Sequence, residues 1–300
     1  MAKPAFFTAK IDISLGKKLQ IDLQDQGFEI SKPPYTVFAA KKKGVSCTLY
    51  ESGSLTVQGK EMDAFIEFYL EPEILKEFRF SHAAALLDLT PHIGLDEAGK
   101  GDFFGPLCIA AVYADGAGIP QLQQMGVRDS KKIADATILK IAKQIRTQFS
   151  YTVIRLFPLK YNELYGKFKN LNRLLAWAHV AALGDLSQKT SCRKATLDQF
   201  AEKHVVENAM KQKKLEIDLE QKVHGEEDIV VAAASILARA AFLEGMQTLS
   251  EEYGLTLPKG AARQVIDAAS KLVAKFGPEV LQKVAKTHFK TMKEIDVNPT

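Results

Sequence analysis

Leu15, Leu19 and Leu23 recur at four-residue spacing, which predicts a helix with Ser14 as its cap and Gly27 as its stop. After Pro33-Pro34 the rhythm shortens to two. Val45, Cys47 and Leu49 alternate with Ser46, Thr48 and Tyr50, and Leu55 and Val57 alternate with Thr56 and Gln58. Each run predicts a half-buried strand. The basic turn Lys41-Lys42-Lys43-Gly44 precedes the first strand, and Glu51-Ser52-Gly53-Ser54 separates the two. Met62, Phe65, Ile66 and Tyr69 return to a helical stripe. The pattern predicts a small α+β unit over residues 1–82, with an antiparallel sheet that keeps one polar face and Tyr50 on that face.

Residues 79–92 read as a connector containing a short apolar piece at 83–87. A second domain, residues 90–300, then begins on a strand at Ile93-Gly94-Leu95. Residues 107–113 are mostly apolar and predict a buried strand. Ile138, Ile141, Ala142 and Ile145 share a helical face, residues 151–157 are β-rich, and residues 164–186 are largely helical. Ala195-Thr196-Leu197 is a short strand leading into Asp198, and residues 200–210 are helical. Leu215, Ile217 and Leu219 alternate with Glu216, Asp218 and Glu220, and residues 229–253 form an alanine-rich helix. Mixed strands and helices of this kind make a layered α/β domain around a central sheet.

Composition adds exclusions. Hydrophobic residues make up 46% of the 300 and charged residues 25%, so there is apolar material for real cores. No stretch approaches 18 uncharged apolar residues, and the first residues lack the apolar core of a signal peptide. Cys47, Cys108 and Cys192 are odd in number and widely spaced, with no CxxC pair. These features point to a cytoplasmic protein, with no membrane and no obligate protein partner implied. The formal net charge of +4 tolerates a polyanionic partner without demanding one.

The chemistry sits in carboxylates placed at strand ends and helix starts. Asp96-Glu97 end the strand from Ile93 and run into Gly99-Lys100-Gly101. Asp198 follows the strand at Ala195, and Glu226-Glu227-Asp228 precede the helix from Ile229. Several carboxylates in one place hold divalent metals, and two ions can activate water and stabilise a leaving oxygen in phosphodiester hydrolysis. Each also has a plainer reading. Asp96-Glu97 suit a solvated turn, Asp198 suits a helix N-cap, and acids at a helix start are favoured by its dipole. Glycines at 99 and 101 let a nucleic-acid backbone approach the main chain, whose N–H and C=O groups can read 2′-hydroxyls, and Lys100 can meet a phosphate. The spacing excludes a Walker A loop.

The segment Asp96-Glu97-Ala98-Gly99-Lys100-Gly101-Asp102-Phe103-Phe104-Gly105-Pro106-Leu107 resembles the first motif of type 2 ribonucleases H, in the form of the ribonuclease HIII branch. Asp129-Ser130-Lys131-Lys132, Tyr161 to Tyr165, Lys169 to Asn172, Leu175 to His179, Leu197-Asp198-Gln199-Phe200 and Ala232 to Arg239 match later segments in order. The resemblance implies an RNase H-like mixed-sheet nuclease domain preceded by a small domain similar to the TATA-box-binding protein. It implies endonucleolytic cleavage of the RNA strand of RNA/DNA hybrids, using Mg²⁺ or Mn²⁺ and leaving 5′-phosphate and 3′-hydroxyl ends. Asp96, Glu97 and Asp198 carry over as ligands. The fourth is a glutamate before the Ala-Ala-Ser helix, for which Glu226 is chosen over Glu227 with the register open by one, while Glu244 is rejected.

Further substrate contacts implied are Gly99, Lys100, Gly101, Ser130, Lys131 and Asn170, with Asn172 beside it. Lys41, Lys42, Lys43 and Lys60 are candidate phosphate contacts of the first domain. Asp129 or Ser130 can equally cap the following helix. Lys286-Thr287-His288-Phe289-Lys290 is a candidate substrate-side element, with His288 more structural than catalytic. Two alternatives stay open: incision at single ribonucleotides in duplex DNA, and a non-catalytic hybrid-binding protein that has kept the fold.

Overall fold

The computed structural model describes residues 6–76 and 88–295. The chain divides into two compact units, Met1–Asp88 and Leu89–Thr300. The apolar piece expected at 83–87 and the domain end expected at 82 lie outside the described residues.

The first unit runs β1 (Phe6–Lys10), α1 (Gly16–Asp25), β2 (Glu29–Ser31), β3 (Thr36–Lys42), β4 (Val45–Tyr50), β5 (Ser54–Gln58) and α2 (Met62–Phe65), which continues as a π-helix over Ile66–Leu75. Its antiparallel sheet has the order β1-β5-β4-β3-β2. Phe38, Val45, Cys47, Leu49, Leu55 and Val57 turn inward and pack with Leu19 and Leu23 of α1 and with Phe65, Ile66 and Leu70. The wider π turn keeps Ile66, Leu70 and Ile74, four apart, buried together. Three strands, β1, β2 and β3, were not expected. Ser14 is not the helix cap. Asp12 takes that place, accepting the Ser14 N–H at 2.9 Å ahead of a short 3-10 turn that feeds α1. Lys41 and Lys42 belong to β3 rather than to a turn, leaving Lys43-Gly44 to join β3 to β4.

The second unit runs β6 (His92–Ala98), β7 (Leu107–Ala114), α3 (Gly118–Gln124), α4 (Asp135–Gln148), β8 (Tyr151–Leu156), α5 (Pro158–Phe168), α6 (Leu171–Thr190), β9 (Lys194–Asp198), α7 (Lys203–Lys213), β10 (Asp218–Lys222), α8 (Ile229–Tyr253), α9 (Arg263–Phe276) and α10 (Val280–Val284). The sheet order is β10-β9-β6-β7-β8. β6, β7 and β8 pair antiparallel, while β9 lies parallel to both β6 and β10. The helix expected across 164–186 is two helices, broken where Lys169 takes a left-handed conformation and Asn170 caps α6 by accepting the Arg173 N–H at 3.1 Å.

Alternation along β6 divides its side chains between two helices. Ile93 and Leu95 pack with Leu175, Ala178 and Ala182 of α6. Gly94 points to α8, so closely that a Cβ would stand 2.3 Å from the Val230 carbonyl carbon. Only glycine lets α8 lie flush on the strand. By length and composition α8 could cross a membrane, but 78% of its apolar window is buried inside the unit, as befits a core helix.

Candidate active site

β6 does not stop at Leu95. It stays paired with β7 through Ala98, so Asp96 and Glu97 occupy successive strand positions and point to opposite faces. Glu97 continues the Ile93-Leu95 face toward α6, where its Oε2 lies 3.1 Å from His179 Nε2. Asp96 continues the Gly94 face toward α8 and is hydrogen-bonded to Ser235. The parallel register pairs Leu95 with Leu197, which sets Asp96 beside Asp198 at the strand ends. Leu197 faces the α6 core, so Asp198 takes the α8 side with Asp96. The ends of the neighbouring strands β6 and β9 therefore carry three carboxylates.

The fourth acid arrives on a short 3-10 turn, Gly225–Glu227. The Gly225 N–H donates to Asp198 Oδ1 at 2.9 Å, and a Cβ on Gly225 would lie 2.7 Å from the Asp198 Cα. The turn thus rests directly on Asp198. Its Glu226 is half-buried and close enough to raise the Asp198 pKa, whereas Glu227 is exposed. Asp228, the third acid of that run, caps α8 by accepting from the Val230 N–H at 2.9 Å, and it bonds His92 Nε2 at 3.0 Å.

Electrostatics separates the acids. Burial and the Glu97 carboxylate push the Asp96 pKa well up, against the Ser235 hydroxyl and the Glu97 N–H that donates to it at 2.7 Å. Burial also acts on Glu97, but His179 and Lys100, whose Nζ is 3.4 Å away, outweigh it and hold Glu97 below its ordinary value. Asp198 is raised by burial and by Glu226 and Glu97. Asp96, Glu97 and Asp198 line one cleft of about 470 Å³, with Lys100, Lys131 and Phe200.

Among the described residues, no three acids or imidazoles already converge as a closed metal cage. Each carboxylate is instead turned to a protein partner: Asp96 to Ser235 and the Glu97 N–H, Glu97 to His179 and Lys100, Asp198 to the Gly225 N–H. Oxygen-only donors, with Asp96 and Asp198 both raised by burial and by neighbouring carboxylates, suit a hard divalent cation, which would relieve that repulsion. The donor set fits Mg²⁺ or Mn²⁺.

The other predicted contacts divide. Gly99 has φ +83°, and a Cβ there would meet the Pro106 carbonyl oxygen at 2.3 Å, so the fold itself demands glycine. Gly101 has nothing within 4 Å of such a Cβ, and internal packing gives no reason for glycine there. Lys131 is exposed at the cleft. Ser130 is buried, its Oγ 2.8 Å from Ser235 Oγ, so it supports the residue that touches Asp96. Asn170 spends its side-chain oxygen on capping α6. Lys43 and Gly44 form the β3–β4 turn, and the Glu61 N–H donates to the Gly44 carbonyl at 2.9 Å, which sets Lys60 beside Lys41, Lys42 and Lys43 at one end of the first unit's sheet. Lys42 is tied to the Gln26 carbonyl at 2.8 Å.

Lys286 is not an exposed substrate-side lysine. It is fully buried, and its Nζ donates to the carbonyls of Asp102, Phe104 and Gly105 at 2.8, 3.3 and 2.7 Å. Burial pushes its pKa down to about 7, although three acceptors match the three donors of the charged form. His288 stacks on Tyr165 at 4.0 Å between centroids. Glu244 pairs with Arg146 at 2.6 Å, which leaves it occupied away from the cleft acids. His179 was not singled out from sequence. Its signal was a histidine on an otherwise apolar helical stretch.

Both units of the chain are similar to known proteins. A family profile described as Ribonuclease HII matches residues 93–292, and one described as a domain of unknown function, DUF3378, matches residues 8–80. Ribonuclease HIII of Protochlamydia amoebophila (strain UWE25) is 51% identical over 289 residues, covering 96% of this chain and 96% of that protein. Ribonuclease HIII of Chlamydia felis (strain Fe/C-56) is 50% identical over 292 residues, covering 96% and 97%. The crystal structure of Bst-RNase HIII in complex with Mn²⁺ is similar with a TM-score of 0.69 at 29% identity, covering 96% of this chain and 97% of that one.

Proposed function

The chain belongs to the ribonuclease HIII branch of the ribonuclease HII family, and from that premise we propose that it is a cytoplasmic endoribonuclease that cuts the RNA strand of RNA/DNA hybrids by divalent-metal-assisted hydrolysis, leaving 5′-phosphate and 3′-hydroxyl ends. The observation that carries the reading is the register that sets Asp96 beside Asp198 while Glu97 is held from the α6 side.

Asp96, Glu97, Asp198 and Glu226 would hold Mg²⁺ or Mn²⁺. Two such ions, when bound, would supply the activation of a water and the stabilisation of the 3′ leaving oxygen. The chain's own groups do the positioning. Ser130 holds Ser235, and Ser235 holds Asp96. His179 and Lys100 keep Glu97 ionised on its own face. Lys100 and Lys131 give the cleft positive charge for the flanking phosphates. At Gly101 the absence of a side chain leaves the backbone open to a sugar edge, where a peptide group can meet a 2′-hydroxyl and so distinguish RNA from DNA.

The reading is tested by incubating the full chain with end-labelled substrates and Mg²⁺ or Mn²⁺. A continuous hybrid is expected to be cut at several internal RNA positions. A DNA duplex carrying one ribonucleotide is the comparison substrate. Preferential incision of the latter would replace the hybrid reading with repair-type incision, and no cleavage of either would leave only a binding protein.

A further inference from the structure

A concavity of about 900 Å³, larger than the cleft, lies between the start of α6 and α7. Phe168 and Trp177, with ring centroids 5.9 Å apart, stand in its wall. Arg173, Lys211 and Lys213 line it and are exposed, and no Asp or Glu lines it. Unlike Lys167, which pairs with Glu163 at 2.7 Å, these three cations have no ion-pair partner among the described residues. Several unpaired cations around an aromatic wall are not explained by the stability of the unit. They are the combination that receives a nucleic-acid strand: charge for phosphates and a flat apolar face for sugars or bases.

Along the chain, Gln199 and Phe200 of the cleft are followed within a few residues by His204, which with Arg173 and Val205 lines both a small hollow and the groove. On α6, Arg173 lies about 9 Å along the helix axis from His179, at ~1.5 Å per residue. That reach spans two to three nucleotides at about 3.4 Å per nucleotide of one strand. Glu202, paired with His204 at 3.2 Å, marks the rim.

Resting on the ribonuclease reading above, we infer that this groove is a second substrate site, which carries the sugar–phosphate backbone of one strand of the hybrid away from the carboxylates. It sets how tightly a long substrate binds and takes no part in the chemical step.

Trp177 is the single tryptophan of the chain, so its emission reports on the groove. The full chain carrying Asp96→Asn is titrated in Mg²⁺ with a dye-labelled RNA/DNA hybrid of about 24 base pairs. Dye anisotropy follows binding, and tryptophan emission follows the groove. Emission is expected to change in step with anisotropy. Adding Arg173→Glu with Lys211→Glu should weaken binding about tenfold and lower the slope of log affinity against log salt by about 2. In the active protein the same pair should raise KM for that hybrid about tenfold and leave kcat within about twofold. Arg173→Gln with Lys211→Gln should move KM in the same direction by less. Binding without any change in Trp177 emission, together with unchanged KM in the charge-reversed protein, overturns the groove and leaves the nuclease reading standing. Absence of binding by anisotropy overturns both.

Discussion

His179 Nε2 meets Glu97 Oε2 at 3.1 Å with 1% of the imidazole exposed, while its Nδ1 has no hydrogen-bond partner among the described residues. A buried nitrogen without a partner is costly. The arrangement fits the tautomer whose Nε2–H donates to the carboxylate, while the Phe200 ring stacks on the imidazole face, centroids 5.0 Å apart. His179 is therefore a positioning residue for a metal ligand. His179→Ala should raise the metal concentration needed for half-maximal activity about 10- to 100-fold. His179→Gln, which can still donate to Glu97, should recover part of that loss. Metal-activation curves for the two variants check this, and a wild-type curve for the alanine variant would refute it.

Glu226 and Glu227 are neighbours with opposite fates. Glu226 is half-buried on the turn that rests on Asp198, and Glu227 is exposed. Glu226→Gln should lower kcat at least about 100-fold, as expected for a lost metal ligand, while Glu227→Gln stays within about twofold. Single-turnover rates at saturating metal separate the two, and the reverse ranking would move the fourth ligand by one residue.

The raised pKa of Asp96 fixes a pH dependence. Without metal, the folded protein binds this proton more tightly than the unfolded chain does. Stability from this group then falls as pH rises from the ordinary value of 3.8 through the raised folded pKa, and the loss is complete above it. A divalent ion displaces the proton and removes the cost. The rise in Tm on adding Mn²⁺ should be larger at about pH 8 than at about pH 5.5, with proton release visible by calorimetry in buffers of different ionisation heat. Equal Tm shifts at the two pH values would contradict it.

Lys286 ties the loop after Gly101 to the end of α10 through three backbone carbonyls. Lys286→Met fills the volume but leaves those buried acceptors unpaired, at a cost of about 2–5 kcal/mol. Urea denaturation should show a lower midpoint, and cleavage should fall with it as the Gly99–Gly101 loop loses its support. A midpoint unchanged from wild type would mean that water replaces the ammonium.

Much of the fold was legible because the second unit's strands carry their own rhythm. The apolar run at residues 107–113, the short strand before Asp198 and the alanine-rich helix all appear as elements. β3 was missed because Ala39 and Ala40 are weak strand formers and its lysines read as a turn. Its strand character comes from pairing with β4 across the Lys43-Gly44 turn. Asp96-Glu97 were read at a strand end, and β7 pairing carries the strand three residues further. What the sequence could not display was convergence: the Leu95–Leu197 register, the Gly225 turn resting on Asp198, and His179 of α6 reaching Glu97 of β6 are all long-range. The ordered motifs named the acids, and the pairing of β6 with β9 explains why two of them are neighbours.

If Asp96, Glu97, Asp198 and Glu226 form a metal-dependent nuclease centre, Asp96→Asn, which keeps the volume and removes one ligand charge, should silence it. With a labelled RNA/DNA hybrid and Mg²⁺ or Mn²⁺, the folded variant should bind the hybrid as the wild type does and cut it at least about 1,000-fold more slowly. Near-normal turnover by a correctly folded Asp96→Asn protein would contradict the assignment.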